Sequence, residues 1–188
     1  MDDHEPLRIR PMAFADCDRV SEIRIRGWQF AYRGLMPQSF LDALSVAQDA
    51  ERRRARFGQG ADGVVNLVAV GAPPRPLGHR GKDGEVVGWS CYGPYRDGEV
   101  RTGEAELYAV YVAPEHLGTG VGRALMRESL RQCAALGHDR VLLWVLRGNV
   151  RARRFYERAG FHADGAEEPF EVDGVPVPEV RYVKELTG

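Results

Sequence analysis

Between residues 104 and 146 the chain reads EAELYAVYV, then HLGTGVG, then GRALMRESLRQCAALG, then VLLWVL. No other stretch limits the fold so tightly. An alternating strand-like run meets a glycine-dense turn at 116–122, a helical period follows, and a continuous apolar run closes the unit as a strand buried on both faces should. The helix is expected to turn Val121, Leu125, Met126, Cys133 and Leu136 to one side and Arg123, Arg127 and Arg131 to the other. Strand, helix and strand thus predict a parallel, right-handed crossover. A glycine turn at a helix N-terminus offers unpaired N–H groups and about half a positive charge, which favours an anion. The spacing G-x-G-x-G is neither the dinucleotide fingerprint nor a P-loop, since no Gly-Lys-Ser/Thr follows. Taken alone, the run is equally readable as a turn that packs a strand on a helix.

The rest of the chain supplies elements for one domain over 1–188. LRIRPM (7–12) alternates as a strand, and a helix with Val20, Ile23 and Ile25 follows from Ala15-Asp16. GWQFAYRGLMPQSFLDALS carries Trp28, Phe30 and Tyr32 before a Gly-Leu-Met-Pro break and a second helical pattern with Phe40, Leu41 and Leu44. Residues 47–57 read as a charged, solvated helix. VVNLVAV (64–70) and EVVGWSCYG (85–93) read as paired strands joined by a mobile, Pro/Gly-rich connection, GAPPRPLGHRGKDG. Asn149 is placed to cap a helix, NVRARRFYERAG, that ends at Gly160. Asp173-Gly174 marks a closing hairpin.

With 26 Lys and Arg against 27 Asp and Glu, the net charge of −1 gives no field that would gather nucleic acid or an acidic membrane, so any anion site is local. The sequence lacks an apolar run of about 18 residues that could span a bilayer. The acidic start MDDHEPLRIR also lacks a signal-peptide pattern, and the expectation is a cytoplasmic protein. Three cysteines and five scattered histidines show no metal-ligand spacing, so no metal is expected.

ELYAVYVAPEHLGTGVGRALM followed by NVRARRFYERAGF resembles the GNAT superfamily of N-acetyltransferases, which bind acetyl-coenzyme A. The second stretch carries the family pattern at Asn149, Ala152, Phe155, Tyr156, Gly160 and Phe161. The first departs from it at Leu117, where the family has Gln or Arg. The resemblance implies an α/β fold with a mixed, mostly antiparallel sheet, one parallel pair at about 106–112 and 141–146, and flanking helices. It implies acetyl-CoA as co-substrate. The turn residues Leu117, Gly118, Thr119, Gly120, Val121, Gly122 and Arg123 would hold its pyrophosphate. The backbone of Val110, Tyr111 and Val112 would pair with the pantetheine arm as an added strand, with Asn149 touching it. Arg147, Arg151, Arg153, Arg154 and Arg158 offer candidates for a 3′-phosphate.

Acetyl transfer from a thioester to an amine needs a neutral amine, an oxyanion stabiliser and a proton for the thiolate. Alternation puts Glu106 on one face with Tyr108, Val110 and Val112. In the histone-acetyltransferase branch of the family a glutamate at this distance before the glycine loop is the base, which makes Glu106 the candidate; Glu104 and a water chain are the rivals. Tyr156 is the candidate acid. The ribosomal-protein branch has a glutamate where Trp144 stands, so that base is missing. Neither Cys91 nor Cys133 has a His or Asp nearby in sequence to support a covalent route. The acceptor, a small-molecule amine or a peptide or protein amine, would lie against Trp28, Tyr32 and residues around 168–179. A catalytically silent acetyl-CoA-binding module and self-association as a homodimer stay open.

Overall fold

In a computed structural model, residues 7–59, 63–71, 84–97 and 100–186 are described. The Pro/Gly-rich connection read between the second and third strands lies, from 72 to 83, outside them. One seven-stranded sheet runs in the order β1-β2-β3-β4-β5-β7-β6. Its strands are β1 Arg8–Pro11, β2 Val65–Val70, β3 Val86–Asp97, β4 Val100–Val112, β5 Arg140–Leu146, β6 His162–Val172 and β7 Val175–Glu185. The helices are α1 Cys17–Ala31, α2 Gln38–Ala43, α3 Val46–Arg56, α4 Val121–Ala135 and α5 Val150–Arg158. Every strand pair is antiparallel except β4 with β5.

Local chemistry explains most boundaries. Ser45 starts α3 by accepting a hydrogen bond from the Gln48 amide at 3.3 Å, and Asn149 starts α5 by accepting one from the Ala152 amide at 3.1 Å. The β6–β7 hairpin turns on Asp173 at φ 50° and Gly174 at φ 75°, the two successive positive angles that a tight turn of this hand requires.

The two faces of the sheet carry separate apolar layers. On one, α4 lays Val121, Leu125, Met126 and Cys133 on Leu67, Val87, Leu107, Val141 and Leu143. Leu136, expected on that side, follows the end of α4 and is 63% exposed. On the other face α1 sets Val20 and Ile23 on Val68, Val70, Val86 and Trp89. Arg53 of α3 covers Trp89 from outside, its guanidinium 4.5 Å from the ring centroid.

A β-bulge in β4 overturns one strand-face expectation. Cys91 pairs with Ala109 but Tyr92 pairs with Leu107, so Tyr108 is an extra residue in the ladder. Tyr108 and Ala109 therefore both join the α1-side layer with Tyr111, whereas Leu107, Val110 and Val112 pack on the α4 side. Glu106 alternates with Ala105 and Leu107 and so faces the α1 side. The inserted residue separates it from Val110 and Val112, with which simple alternation had grouped it.

Gly88 fixes how closely α4 approaches the sheet. A Cβ there would lie 2.8 Å from Val121 Cγ1, 2.9 Å from Leu125 Cδ1 and 3.2 Å from the Tyr111 carbonyl oxygen. Gly88→Ala should lower stability by about 1–3 kcal/mol through overpacking, read as a fall in the urea midpoint at an unchanged m-value.

Candidate active site

The expected parallel pairing of 106–112 with 141–146 is far shorter in the structure. Among the described residues it consists of Ala105 with Val141 and Glu106 with Leu142. Beyond them β4 stays paired with β3 to Val112 and β5 stays paired with β7 to Leu146. The two strands thus part, and a cavity of about 690 Å³ opens between them, lined by Leu107 to Val112 of β4 and Trp144 to Leu146 of β5. The edge of β4 that faces β5 has no strand partner there, so its N–H and C=O groups are available to an extended ligand.

One end of the cavity is the glycine turn, with Leu117, Gly118, Gly120, Gly122 and Arg123 in its wall. Gly118 at φ 81° and Gly120 at φ 95° take a conformation that side chains resist, which leaves the N-terminus of the fifteen-residue α4 uncovered. Thr119 braces the turn by donating its hydroxyl to the His116 carbonyl at 2.7 Å. The wall continues along α5 through Asn149, Arg151, Ala152, Phe155, Tyr156 and Arg158.

The opposite end is aromatic and acidic. Phe30, Ala31 and Tyr32 at the end of α1 meet Tyr111, Trp144, Tyr156 and Glu179 of β7. The Tyr32 and Tyr111 hydroxyls lie 3.1 Å apart. Gly27 makes this meeting possible, since a Cβ there would sit 2.8 Å from Tyr111 Cδ1. Burial is the main cause that raises the pKa of Tyr32, Tyr111 and Tyr156, so all three stay protonated at neutral pH. Burial, followed by the like charges of Glu168 and Glu106, pushes the Glu179 carboxyl up to about 7. Burial likewise drives the Cys133 thiol to about 12, an inert form.

A model of the acetyltransferase (GNAT) family matches residues 37–161. The chain belongs to this family. It is 24% identical over 174 residues to an uncharacterised N-acetyltransferase, YuaI, of Bacillus subtilis, over 93% of this chain and 90% of that one. An uncharacterised N-acetyltransferase of Mycobacterium tuberculosis is 37% identical over 150 residues, 80% of this chain and 85% of that one. The crystal structure of PaiA N-acetyltransferase from Thermoplasma acidophilum, in complex with coenzyme A, shares the fold. It matches with a TM-score of 0.69 at 17% identity, over 97% of this chain and 100% of that one. No helix among the described residues is long and apolar enough to cross a membrane.

In this GNAT chain the cavity gathers Tyr32, Val110, Tyr111, Val112, Leu117, Gly118, Gly120, Gly122, Arg123, Asn149 and Tyr156 from the sequence candidates. Val121 and Thr119 belong to the turn, but Val121 is buried beneath it and Thr119 is spent on bracing it. Trp28 does not reach the cavity. It lies one helical turn before Tyr32 and fills a neighbouring apolar layer, edge-on to Tyr32 at 5.1 Å and to Phe170 at 6.4 Å, with Arg24 over its ring. Glu106 is partly buried on the α1 side and is not in the cavity lining. Glu104 is paired with Arg140 at the closed end of the strands. Arg147 pairs with Glu167, and Arg153 donates to the Tyr182 hydroxyl at 3.0 Å, which leaves Arg123, Arg151 and Arg158 as the arginines of the cavity wall.

Sequence reasoning placed Glu179 only at the end of a stretch of expected acceptor-wall residues, around 168–179, and gave it no chemical role; it did not place Trp144 in the wall. The signal for Glu179 was present: counting outward from the Asp173-Gly174 turn pairs it with Glu168, and β5 brings Leu146 to its other side. Because the folded protein holds the Glu179 proton up to about pH 7 and the unfolded chain releases it near 4.5, stability falls as pH rises through that window. Glu179→Gln removes this loss. The melting temperature of the variant should therefore gain on that of the wild type between pH 5 and pH 8, and a constant difference would contradict the raised carboxyl.

Proposed function

We propose that this protein transfers an acetyl group from acetyl-CoA directly to a primary amine, carried by a small molecule or by a peptide or protein. The observation that carries the reading is the parting of β4 and β5 after a two-residue ladder, with an uncovered helix N-terminus at one end and protonated tyrosines at the other. Acetyl-CoA would supply the thioester. Amides of the glycine turn from Gly118 to Arg123 would hold its pyrophosphate with help from the α4 dipole. Arg123, Arg151 or Arg158 is available to a 3′-phosphate. The unpaired edge of β4 at Val110, Tyr111 and Val112 would take the pantetheine as a strand, which brings the thioester carbonyl toward a backbone N–H near Val110 or Tyr111 that can stabilise the oxyanion.

Attack by the amine nitrogen forms the C–N bond and expels the thiolate. The Tyr156 hydroxyl, kept protonated by burial, supports a role as the donor that returns a proton to the sulfur. The remaining need is a base for the amine. Glu106, the base that the family resemblance implies, lies outside the cavity lining, so taking the amine proton directly falls to a group in the wall.

Calorimetric titration should detect acetyl-CoA binding in the micromolar to millimolar range, and its absence would end this reading. Tyr156→Phe should lower turnover in a thiol-release assay by about a hundredfold or more while acetyl-CoA affinity is kept. Absence of thiol release with every amine tried, with acetyl-CoA binding kept, would favour a silent binding module. Gly120→Val forces a side chain into the left-handed region at a strain of about 1–3 kcal/mol and should weaken acetyl-CoA binding about tenfold or more. Leu117→Ala should change it less than about threefold, because backbone amides rather than that side chain make the grip.

A further inference from the structure

We infer that Glu179 is the base that takes the proton from the acceptor, and that the acceptors are aliphatic amines that arrive as ammonium ions. This deepens the preceding reading and rests on it. Among the described residues that line the cavity, Glu179 is the one carboxylate. His116, the one lining histidine, belongs to the glycine-turn end, where Thr119 bonds to its carbonyl. Glu179 sits across β7 from Leu146 at the open end of β5, in the same wall as Trp144, Tyr32 and Tyr156. A group there lies at the end of the cavity away from the glycine turn, where the acceptor would enter under the preceding reading.

The surroundings specify what kind of nucleophile. Glu168 of β6 is the direct cross-strand partner of Glu179, and like charges so placed repel. Glu106 of β4 adds a second negative charge, and the facing groups of α1 and β4, Tyr32 and Tyr111, are acids rather than cations. Arg181, two residues along β7, is engaged with Asp164 at 2.7 Å and with the Tyr95 hydroxyl at 2.9 Å. The wall therefore gains most from a cation that approaches over aromatic rings, and an alkylammonium is such a cation. An alkylammonium also requires a base, whereas an amine of low basicity arrives neutral. The raised pKa of the carboxyl agrees with this role, since a base poised near neutrality is both available and able to accept.

The protons balance as follows. The ammonium gives one to Glu179, which releases it to solvent. The neutral amine forms the C–N bond and the C–S bond breaks. Tyr156 protonates the thiolate and is restored by the second proton leaving nitrogen. Glu106 acts on Glu179 through charge and is a positioning residue.

The test compares phenethylamine, protonated at neutral pH, with methoxyamine, which is not, both at up to tenth-molar concentration with saturating acetyl-CoA. Glu179→Gln should lower kcat/KM for phenethylamine by about 10²–10⁴-fold and for methoxyamine by less than about threefold. Glu106→Gln should keep activity and move the rising limb of the pH profile to lower pH, because the charge that raises Glu179 is gone. Equal losses with the two amines, a larger loss in Glu106→Gln than in Glu179→Gln, or thiol release with methoxyamine and none with phenethylamine would each overturn the assignment. Wild-type protein that binds acetyl-CoA but acetylates no alkylamine would overturn it too. Failure to bind acetyl-CoA would instead strike the preceding reading. Circular dichroism melting of Glu179→Gln separates lost chemistry from lost fold.

Discussion

Every backbone amide and carbonyl in a folded chain needs a partner, and here the centre of the sheet withholds one. After Ala105–Val141 and Glu106–Leu142, β4 and β5 stop bonding to each other. Each is still held on its outer side, β4 by β3 and β5 by β7, so neither collapses into the gap. Unsatisfied polar groups inside a protein are costly, and a gap of this kind persists because it opens to a ligand or to water. The aromatic rings of α5 close it from below: Phe155 packs edge-on to Tyr156 at 5.4 Å, and Tyr156 edge-on to Phe161 at 6.1 Å. The glycine turn, the tyrosine pair and Glu179 all derive their meaning from their positions around that opening.

The sequence made local signals readable and long-range ones obscure. The α4 stripe from Val121 to Cys133, the Asn149 cap, the Asp173-Gly174 hairpin and the strand that carries VLLWVL all rest on interactions within a few residues, and the structure has each of them. The two motifs of the resemblance also named most of the cavity wall. The bulge at Tyr108 was not readable, because one extra residue leaves no mark in composition yet turns Glu106 from the α4 side of the sheet to the α1 side. Trp28 and Tyr32 share a helix face by spacing, but which of them meets the cavity depends on where Phe40 and Phe170 of distant segments pack. Glu179 reads as an ordinary strand carboxylate until three strands are placed beside one another.

The arginines teach a related lesson about charge. Five near the second motif suggested one basic patch, but the folded chain spends Arg147 on Glu167 and Arg153 on Tyr182, and lays Arg151 over Phe30 at 5.4 Å. The patch is thus three different environments. Arg123, Arg151 and Arg158 are the ones that line the cavity.

The two ends of the cleft come from separate parts of the chain. Residues 114–123 build the glycine-turn end, whereas the opposite end combines residues 27–32 with Glu179 of β7. These parts meet across the parting of β4 and β5 and at the Tyr32–Tyr111 hydroxyl contact. Changes in the hairpin or at the end of the first helix can therefore redraw the shape and charge of that end while the glycine turn keeps its geometry. The open strand edge is the seam along which these two differently built walls face one ligand-sized space.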